Sequence, residues 1–407
     1  MRVAVTGATG NVGTSVLAAL RERPEVEEII GIVRRCPAMT PEKVRWVSAD
    51  VASDDLSAVL AGVDVVVHLA WLIQPSRDQR ATWAANVSGS SRVFQAAAAA
   101  GVGAIVYSSS VGAYSPGPKD RPVDESWPTD GVPTSNYSRE KAYVERLLDI
   151  FEARHGAVRV VRLRPGFVFK RAAASGIRRL FAGPFLPTPL LRRSFIPLVP
   201  RLPQLLFQAV HSHDVGQAFQ LATLNSGVHG AFNVAADPPL GPDELADLLG
   251  ARTVPAPPWA LRWFAAAAWQ ARLVPTEPGM VDLLFSVPLM DTSRARRELG
   301  WQPTHSAGDA LLELLAGMRE GAGADTAPLH PSTGVTGRLA ELSTGVGATD
   351  KRRLCSAGNR EDRFVFSRRG WKKLRDGHYG WPRSWGSCLL PVIWRWVSRS
   401  NTACGPR

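Results

Sequence analysis

A chain of 407 residues, 45% hydrophobic and 21% charged, has the makeup of a folded protein of one large or two ordinary domains and excludes a disordered one. Its net charge of +12 would point to a polyanionic partner if it were evenly spread, but residues 1–321 hold 33 Lys and Arg against 30 Asp and Glu, and residues 322–407 hold 15 against 6. The main body is therefore near neutral, and neither nucleic acid nor a membrane is expected as its partner.

The chain opens on a β-branched run, Arg2–Thr6, with no basic or apolar leader before it, so no signal peptide is expected. The run passes directly into Gly7-Ala-Thr-Gly10-Asn-Val-Gly13 and an amphipathic segment, Val12 to Leu20. This predicts strand, tight turn and helix without spare residues. Three glycines three apart each have a use: a turn at positive φ, close backbone approach to a pyrophosphate, and close helix–strand packing. The N–H groups and dipole at the helix start then receive the phosphates of a dinucleotide.

The second strand, Glu28–Val33, selects the cofactor. A site for the free ribose hydroxyl carries an acidic residue at this strand's end, but here Arg34 and Arg35 follow. A guanidinium stacks on adenine and pairs with a 2′-phosphate, so NADP(H) is expected over NAD(H). After the third strand, Val44–Ser48, Asp50 and Val51 are read either as approaching the adenine ring or as capping a helix. Further strands are expected at Val63–Leu69, Ala104–Ser108 and Val158–Arg164, and helices at Leu56–Leu60, Arg80–Ala100 and Asn136–Arg154. Such alternation predicts an α/β fold of the Rossmann type, with a doubly wound parallel sheet.

Past Pro165 the texture changes. Residues 166–207 are rich in Pro, Leu, Phe and Arg, and helical patterns then dominate to about Glu320, with Gly230–Ala235 read as a strand returning beside the first sheet. No run reaches the roughly 18 apolar residues of a membrane span. Trp259 to Leu273 comes nearest, and Arg262 and Arg272 interrupt it. The expected organisation is a dinucleotide-binding domain over 1–165, a smaller, mostly helical substrate lobe over 166–321, and a basic, disordered tail over 322–407. The tail holds five of the thirteen tryptophans; its Arg368-Arg-Gly-Trp371-Lys-Lys interleaves aromatic and basic residues, but a solvated extension is preferred over nucleic-acid contact. Cysteines 36, 355, 388 and 404 show neither metal-ligand spacing nor a disulfide framework, so a reducing, cytoplasmic setting is expected.

Tyr137-Ser-Arg-Glu-Lys141 lies in the helical pattern Asn136–Arg154, so Tyr137 and Lys141 share a face one turn apart. A tyrosine is a poor acid–base group at neutral pH, and a fixed ammonium beside it favours the phenolate. Ser110 follows the strand Ala104–Ser108 at the carboxyl edge of the sheet, where a hydroxyl can hold a substrate oxygen against the Tyr.

With these pieces in place the chain resembles the extended short-chain dehydrogenase/reductase superfamily, in its NAD(P)-dependent epimerase/dehydratase-like branch. The resemblance runs from residue 1 to roughly 318. It is carried by Thr6-Gly-Ala-Thr-Gly10-Asn-Val-Gly13, His68-Leu-Ala70, Asn86-Val, Val106-Tyr-Ser-Ser-Ser110, Tyr137-x-x-x-Lys141, Arg164-Pro-Gly166, Val210-His-Ser-His-Asp214-Val, Phe232-Asn-Val and Asp291-Thr-Ser-Arg-Ala-Arg-Arg-Glu-Leu-Gly-Trp301-Gln-Pro303. It implies Ser110, Tyr137 and Lys141 as the catalytic set, with Lys141 also on the nicotinamide ribose. Asn86 is implied near the cofactor, as a proton relay or in a structural role. Gly7, Thr9, Gly10, Asn11, Val12, Gly13, Leu69, Ala70 and Pro165 are implied along the dinucleotide. Helices 80–100 and 136–154 match those that pair in the family's homodimers.

Departures narrow the activity. Ser110-Val-Gly112 lacks the carboxylates that dehydratases carry there, which argues against elimination. Lys170-Arg171 stands where Gly-Pro often follows. Leu205-Leu-Phe-Gln-Ala-Val precedes His211 where sugar-nucleotide epimerases place an arginine, although Arg178, Arg179, Arg192, Arg193 and Arg201 remain for a phosphate. A Pro-rich apolar wall fits a small hydrophobic carbonyl or alcohol at least as well. No metal site is expected: His211, His213 and Asp214 are read as capping a helix over Asp214–Thr223. The leading expectation is net hydride transfer between nicotinamide and a carbonyl or alcohol. A sugar-nucleotide epimerase comes second and a non-catalytic redox sensor third.

Overall fold

The structure is a computed structural model that describes residues 1–74, 77–183 and 197–331. Arg192, Arg193, the aromatic–basic stretch at 368–373 and three of the four cysteines lie outside the described residues. The first half of the chain gives β1 (Arg2–Thr6), α1 (Asn11–Arg21), β2 (Glu28–Val33), β3 (Val44–Ser48), α2 (Ser57–Leu60), β4 (Val65–His68), α3 (Gln79–Trp83), α4 (Gly89–Ala99), β5 (Ala104–Ser108), β6 (Pro122–Val123), α5 (Asn136–Arg154) and β7 (Arg159–Pro165). The helical stretch expected over 80–100 is α3 and α4 joined by a π-helical turn at Ala84–Ser88.

The second half is more mixed than its helical texture predicts. It contains β8 (Phe167–Phe169), α6 (Ala174–Ile177), β9 (Leu198–Arg201), β10 (Ala209–His211), α7 (Ser212–Leu224), β11 (Gly230–Val234), α8 (Pro242–Leu249), β12 (Arg252–Pro255), α9 (Pro258–Gln270), α10 (Gly279–Ser286), β13 (Leu289–Met290) and α11 (Ala307–Glu320). Runs such as Phe-Val-Phe in β8 are too short to show a period. They become strands by pairing β8 with β10, β9 with β12 and β6 with β13.

Seven strands form the parallel sheet in the order β11-β7-β5-β4-β1-β2-β3. The order reverses between β1 and β4, and the carboxyl ends of those strands open the crevice where such sheets bind ligands. The central strands bury both faces, because helices cover both, whereas the edge strand β3 is largely half-buried. On β1, Val3 and Val5 join a cluster with Val16, Leu20, Phe219 and Trp301. Ala4 faces the other way, toward Ile30, Val66, Phe94 and Leu148. The expected return of the chain to the first sheet is present, Phe232 of β11 pairing with Leu163 of β7. A separate cluster around Leu202, Leu240 and Leu249 holds β9, α8 and α11 together.

Three expectations change. Residues 322–331, assigned to the tail, pack onto the body: Leu329 is buried, Ser175 N donates to Ala322 O at 3.1 Å, and Thr326 Oγ1 donates to Thr9 O at 2.9 Å. The helix after β10 begins at Ser212, not Asp214, and its cap is His211, whose Nδ1 accepts the His213 N–H at 3.2 Å. Cys36 is disulfide-bonded, since spacing along a chain does not reveal which thiols meet in space. No described helix is long and apolar enough to cross a membrane.

Candidate active site

The glycine loop performs three separate tasks. Gly7 has φ +68°, and a Cβ there would lie 2.8 Å from Ala70 N, so only glycine fits against the end of β4. Gly13 sits so close to the Gly7 carbonyl and Ala8 that any Cβ would overlap them. Gly10 is the open one, with only Gly7 O nearby at 3.3 Å, and it leaves the backbone approachable. The first helical bond of α1 is Thr14 N to Gly10 O at 3.1 Å, so the N–H groups of Asn11, Val12 and Gly13 precede any intrahelical acceptor. No side chain caps this helix, and its first turn holds no acidic residue. Asn11 Oδ1 is buried without a hydrogen-bond partner. An uncapped helix N-terminus behind an open glycine fits the phosphates of a dinucleotide.

The loop is braced from far along the chain. Thr6 Oγ1 accepts the Leu69 and Ala70 N–H groups, each at 3.2 Å, and pairs with His68 Nδ1 at 2.7 Å. Burial lowers His68 to about 3, so a neutral imidazole links Thr6 to Ser90 Oγ, 2.9 Å from its Nε2. Lys170 donates to Asn11 O and Thr14 Oγ1, both at 2.6 Å, and to Ser15 Oγ at 3.1 Å. Burial brings its pKa down to about 8. The family's usual glycine could make none of these bonds.

Arg34 and Arg35 follow β2 directly, with Arg34 exposed. Asp50 does not cap a helix. Its Oδ1 accepts Ala52 N at 3.0 Å and its backbone N–H donates to Asp54 Oδ2 at 2.9 Å, closing a tight turn before α2. Val51 is buried, with its Cγ2 against Gly89. Pro165 is buried at the carboxyl end of β7, beside Val234. Thr9, also buried, is tied through its carbonyl to Thr326.

Tyr137, Ser110 and Lys141 come together where β4 and β5 end. The ring of Tyr137 lies against Gly112, where a Cβ would be 2.8 Å from Cε1, and Ser138 Oγ donates to Gly112 O at 2.5 Å to fix that approach. Ser110 Oγ accepts the Gly112 N–H at 3.0 Å. Burial raises the Tyr137 pKa, and the neighbouring Ser110 hydroxyl opposes that rise. Lys141 does not lie against the phenol: its Nζ donates to Ser108 O at 2.7 Å and sits 3.5 Å from the centre of the Trp71 ring, 6.0 Å from that of Tyr137. Burial lowers Lys141 to about 7, with Glu145 and Glu140 opposing. Trp71 was not anticipated; an aromatic residue next to His68-Leu-Ala70 was the available signal.

Asn86 is a positioning residue. Its Oδ1 accepts Leu72 N at 2.6 Å, and its Nδ2 donates to Leu72 O at 2.7 Å and to Glu140 Oε2 at 2.6 Å. The amide is thereby committed to shaping the loop after β4.

Beside Tyr137 opens a cleft. Leu72, Ile73, Phe181 and Met280 form its apolar wall, and Thr82, Glu140 and Glu277 are among its polar groups. The carboxylates were not anticipated, because Glu277 arrives from more than a hundred residues away. On the far side of α1, His211, Asp214 and His305 hold possible ligand atoms within 4.8 Å of one another. Asp214 accepts Thr304 Oγ1 at 2.6 Å and His305 N at 3.1 Å, and His211 Nδ1 accepts a backbone N–H, while His211 Nε2 lies 3.2 Å from Glu313 Oε2. Among the described residues this is a hydrogen-bonded joint between α7 and the loop before α11.

A fold with this strand order and this set of side chains defines a dinucleotide-binding α/β protein. A sequence profile described as the NAD dependent epimerase/dehydratase family matches residues 3–173, and the chain belongs to that family. It is 31% identical to the L-arabinose 1-dehydrogenase (NAD(P)(+)) of Haloferax volcanii over 178 residues, 41% of this chain and 67% of that one. It is 28% identical over 321 residues to the uncharacterized protein Rv2047c of Mycobacterium tuberculosis, covering 78% of this chain but only 30% of that relative's length. The same fold is seen in the UDP-glucose 4-epimerase of Thermus thermophilus in complex with NAD, with a TM-score of 0.57 and 20% identity over 78% of this chain and 99% of that one.

Proposed function

We propose that this protein is an NAD(P)-dependent oxidoreductase that transfers hydride to or from a carbonyl or alcohol carbon, with NADP(H) preferred. The observation that carries the reading is Tyr137, which shares the Gly112 turn with Ser110, lies one helical turn from Lys141 and faces a cleft at the carboxyl edge of the sheet. A nicotinamide dinucleotide, when bound, supplies or accepts the hydride. Gly10 and the start of α1 would hold its phosphates, and Arg34 and Arg35 its 2′-phosphate.

The residues divide the remaining work. Ser110 accepts the Gly112 N–H, which leaves its own hydroxyl proton to hold the reacting oxygen. Tyr137 gives that oxygen a proton when a carbonyl is reduced and removes one when an alcohol is oxidised. The charged form of Lys141 lowers the cost of the phenolate between those events. The wall of Leu72, Ile73, Phe181 and Met280 accepts an apolar substrate body and keeps water from the reacting carbon. A nucleotide-sugar epimerase, using the same proton transfer twice around a retained cofactor, is the second reading. The T. thermophilus fold relative favours it.

The test is direct. Protein is denatured, any released nucleotide is identified, and the emptied chain is titrated with NADPH and NADH. Empty protein that prefers NADPH supports the exchanging oxidoreductase, whereas stoichiometric NAD(H) moves the epimerase to first place. Tyr137→Phe is expected to lose at least about a hundredfold in turnover while binding cofactor as before. Unchanged turnover removes Tyr137 from the chemistry.

A further inference from the structure

Glu277 precedes α10, in the part of the chain that follows Pro165, yet its carboxylate lies at the start of the helix that carries Tyr137. Oε1 accepts the backbone N–H of Asn136 at 2.9 Å, and Oε2 accepts Asn136 Nδ2 at 2.7 Å. The segment around it is pinned on three sides. Gly279 packs so tightly on Thr134 that a Cβ would overlap its carbonyl, Thr276 Oγ1 donates to Phe181 O at 2.5 Å, and Gln74 Nε2 donates to Pro275 O at 3.1 Å. Glu277 and Tyr137 thus line one cleft in a fixed relation.

The charged groups on the described lining of that cleft are of one sign, and Arg139 and Lys141, which act on its carboxylates, do not line it. Glu140 also lines it, with its oxygens accepting from Thr82 and Asn86, and no Lys or Arg is among the described lining residues. The start of α5 offsets the charge of Glu277 itself through its N–H groups and dipole. A second anion in the cleft would have no such partner. Each Glu277 oxygen accepts one bond from Asn136 and has a further lone pair.

We propose that Glu277 is a specificity-determining residue, which rejects substrates with an anionic group near the reacting carbon and selects neutral or cationic ones that donate a hydrogen bond to its carboxylate. This rests on the reading of the cleft as the substrate site. It also separates this chain from enzymes whose substrates bring a diphosphate close to the reacting carbon.

Binding of benzyl alcohol, benzylamine and benzoate to the full chain, followed by ligand-observed NMR, tests the assignment without turnover. The first two are expected to bind at least about tenfold more tightly than benzoate. In Glu277→Gln, which keeps an acceptor for Asn136, benzoate should gain about tenfold, with NADPH affinity unchanged. Glu277→Asp, which keeps the charge, should keep the discrimination. A purely structural Glu277 would shift all three probes together. The proposal is overturned by benzoate binding as tightly as benzyl alcohol, by an unchanged gap in Glu277→Gln, or by failure of all three probes to bind. NADPH-dependent reduction of 4-nitrobenzaldehyde and 4-carboxybenzaldehyde is measured alongside. If neither aldehyde is reduced while the binding preference holds, hydride transfer fails and the assignment of Glu277 stands.

Discussion

Lys141 is a buried ammonium resting on an indole, and its proton reports the strain of that position. Burial sets its folded pKa at about 7, below the value of about 10.4 for an exposed lysine. The folded chain therefore releases this proton at lower pH than the unfolded chain. Its penalty is full below pH 7 and fades as pH rises toward 10. Denaturant unfolding at pH 6.5 and 9.5 should show wild type gaining stability relative to Lys141→Met at the higher pH; a difference that does not move with pH would contradict the assignment. At the cofactor's far end, replacing Arg34 and Arg35 with alanine should weaken NADPH binding at least about tenfold and leave NADH unchanged. Equal losses for both would mean that the arginines do not read the 2′-phosphate.

At the scale of elements, the helix start and the helix–strand seam carry different loads. Gly13→Ala forces a methyl group into the Gly7 carbonyl, with an expected loss of about 1–3 kcal/mol and a parallel loss of dinucleotide affinity, measured by thermal unfolding and cofactor titration. Between α5 and β7 lies a buried ionic seam in which Arg164 Nε donates to Glu145 Oε1 at 2.9 Å and Arg162 joins at 3.1 Å. Burial alone would raise Glu145, but Arg164, Arg162 and Ser109 hold it at about 2. Its folded pKa lies below the ordinary carboxylate value, so its contribution is present above about pH 4.5 and lost as pH falls toward 2. Glu145→Gln should flatten the acid limb of a stability–pH curve in that window.

At the scale of the molecule, the parts legible in the sequence are those with short-range causes. The glycine loop, the strands of the parallel sheet and the Tyr137–Lys141 spacing are each written within a few neighbouring residues. What was not legible is long-range. Glu277 reaches Asn136, Lys170 braces Asn11, and Thr304 occupies the carboxylate that was expected to cap α7. No local period records such meetings. The boundary at 321 failed for the same reason, because Ala322 to Pro331 has no pattern of its own and is ordered by what it touches. A chain ending at residue 331 should bind cofactor like the full chain. One ending at 321 should be less stable and bind it more weakly, by thermal unfolding and titration.

Thr326 meets Thr9 at a separation of 317 positions along the chain, and Ser212 and Lys170 meet the start of α1 at separations of 201 and 159. The phosphate cradle is encoded in the first thirteen residues, yet one of its supports, Thr326, is among the last parts of the body to be translated. During synthesis the six N-terminal-most strands of the sheet can pair long before Thr326 emerges from the ribosome. A nascent chain would thus hold a nearly finished sheet around a nucleotide loop that still lacks its last brace. Cofactor added during translation should be held more tightly once residue 326 has cleared the exit tunnel.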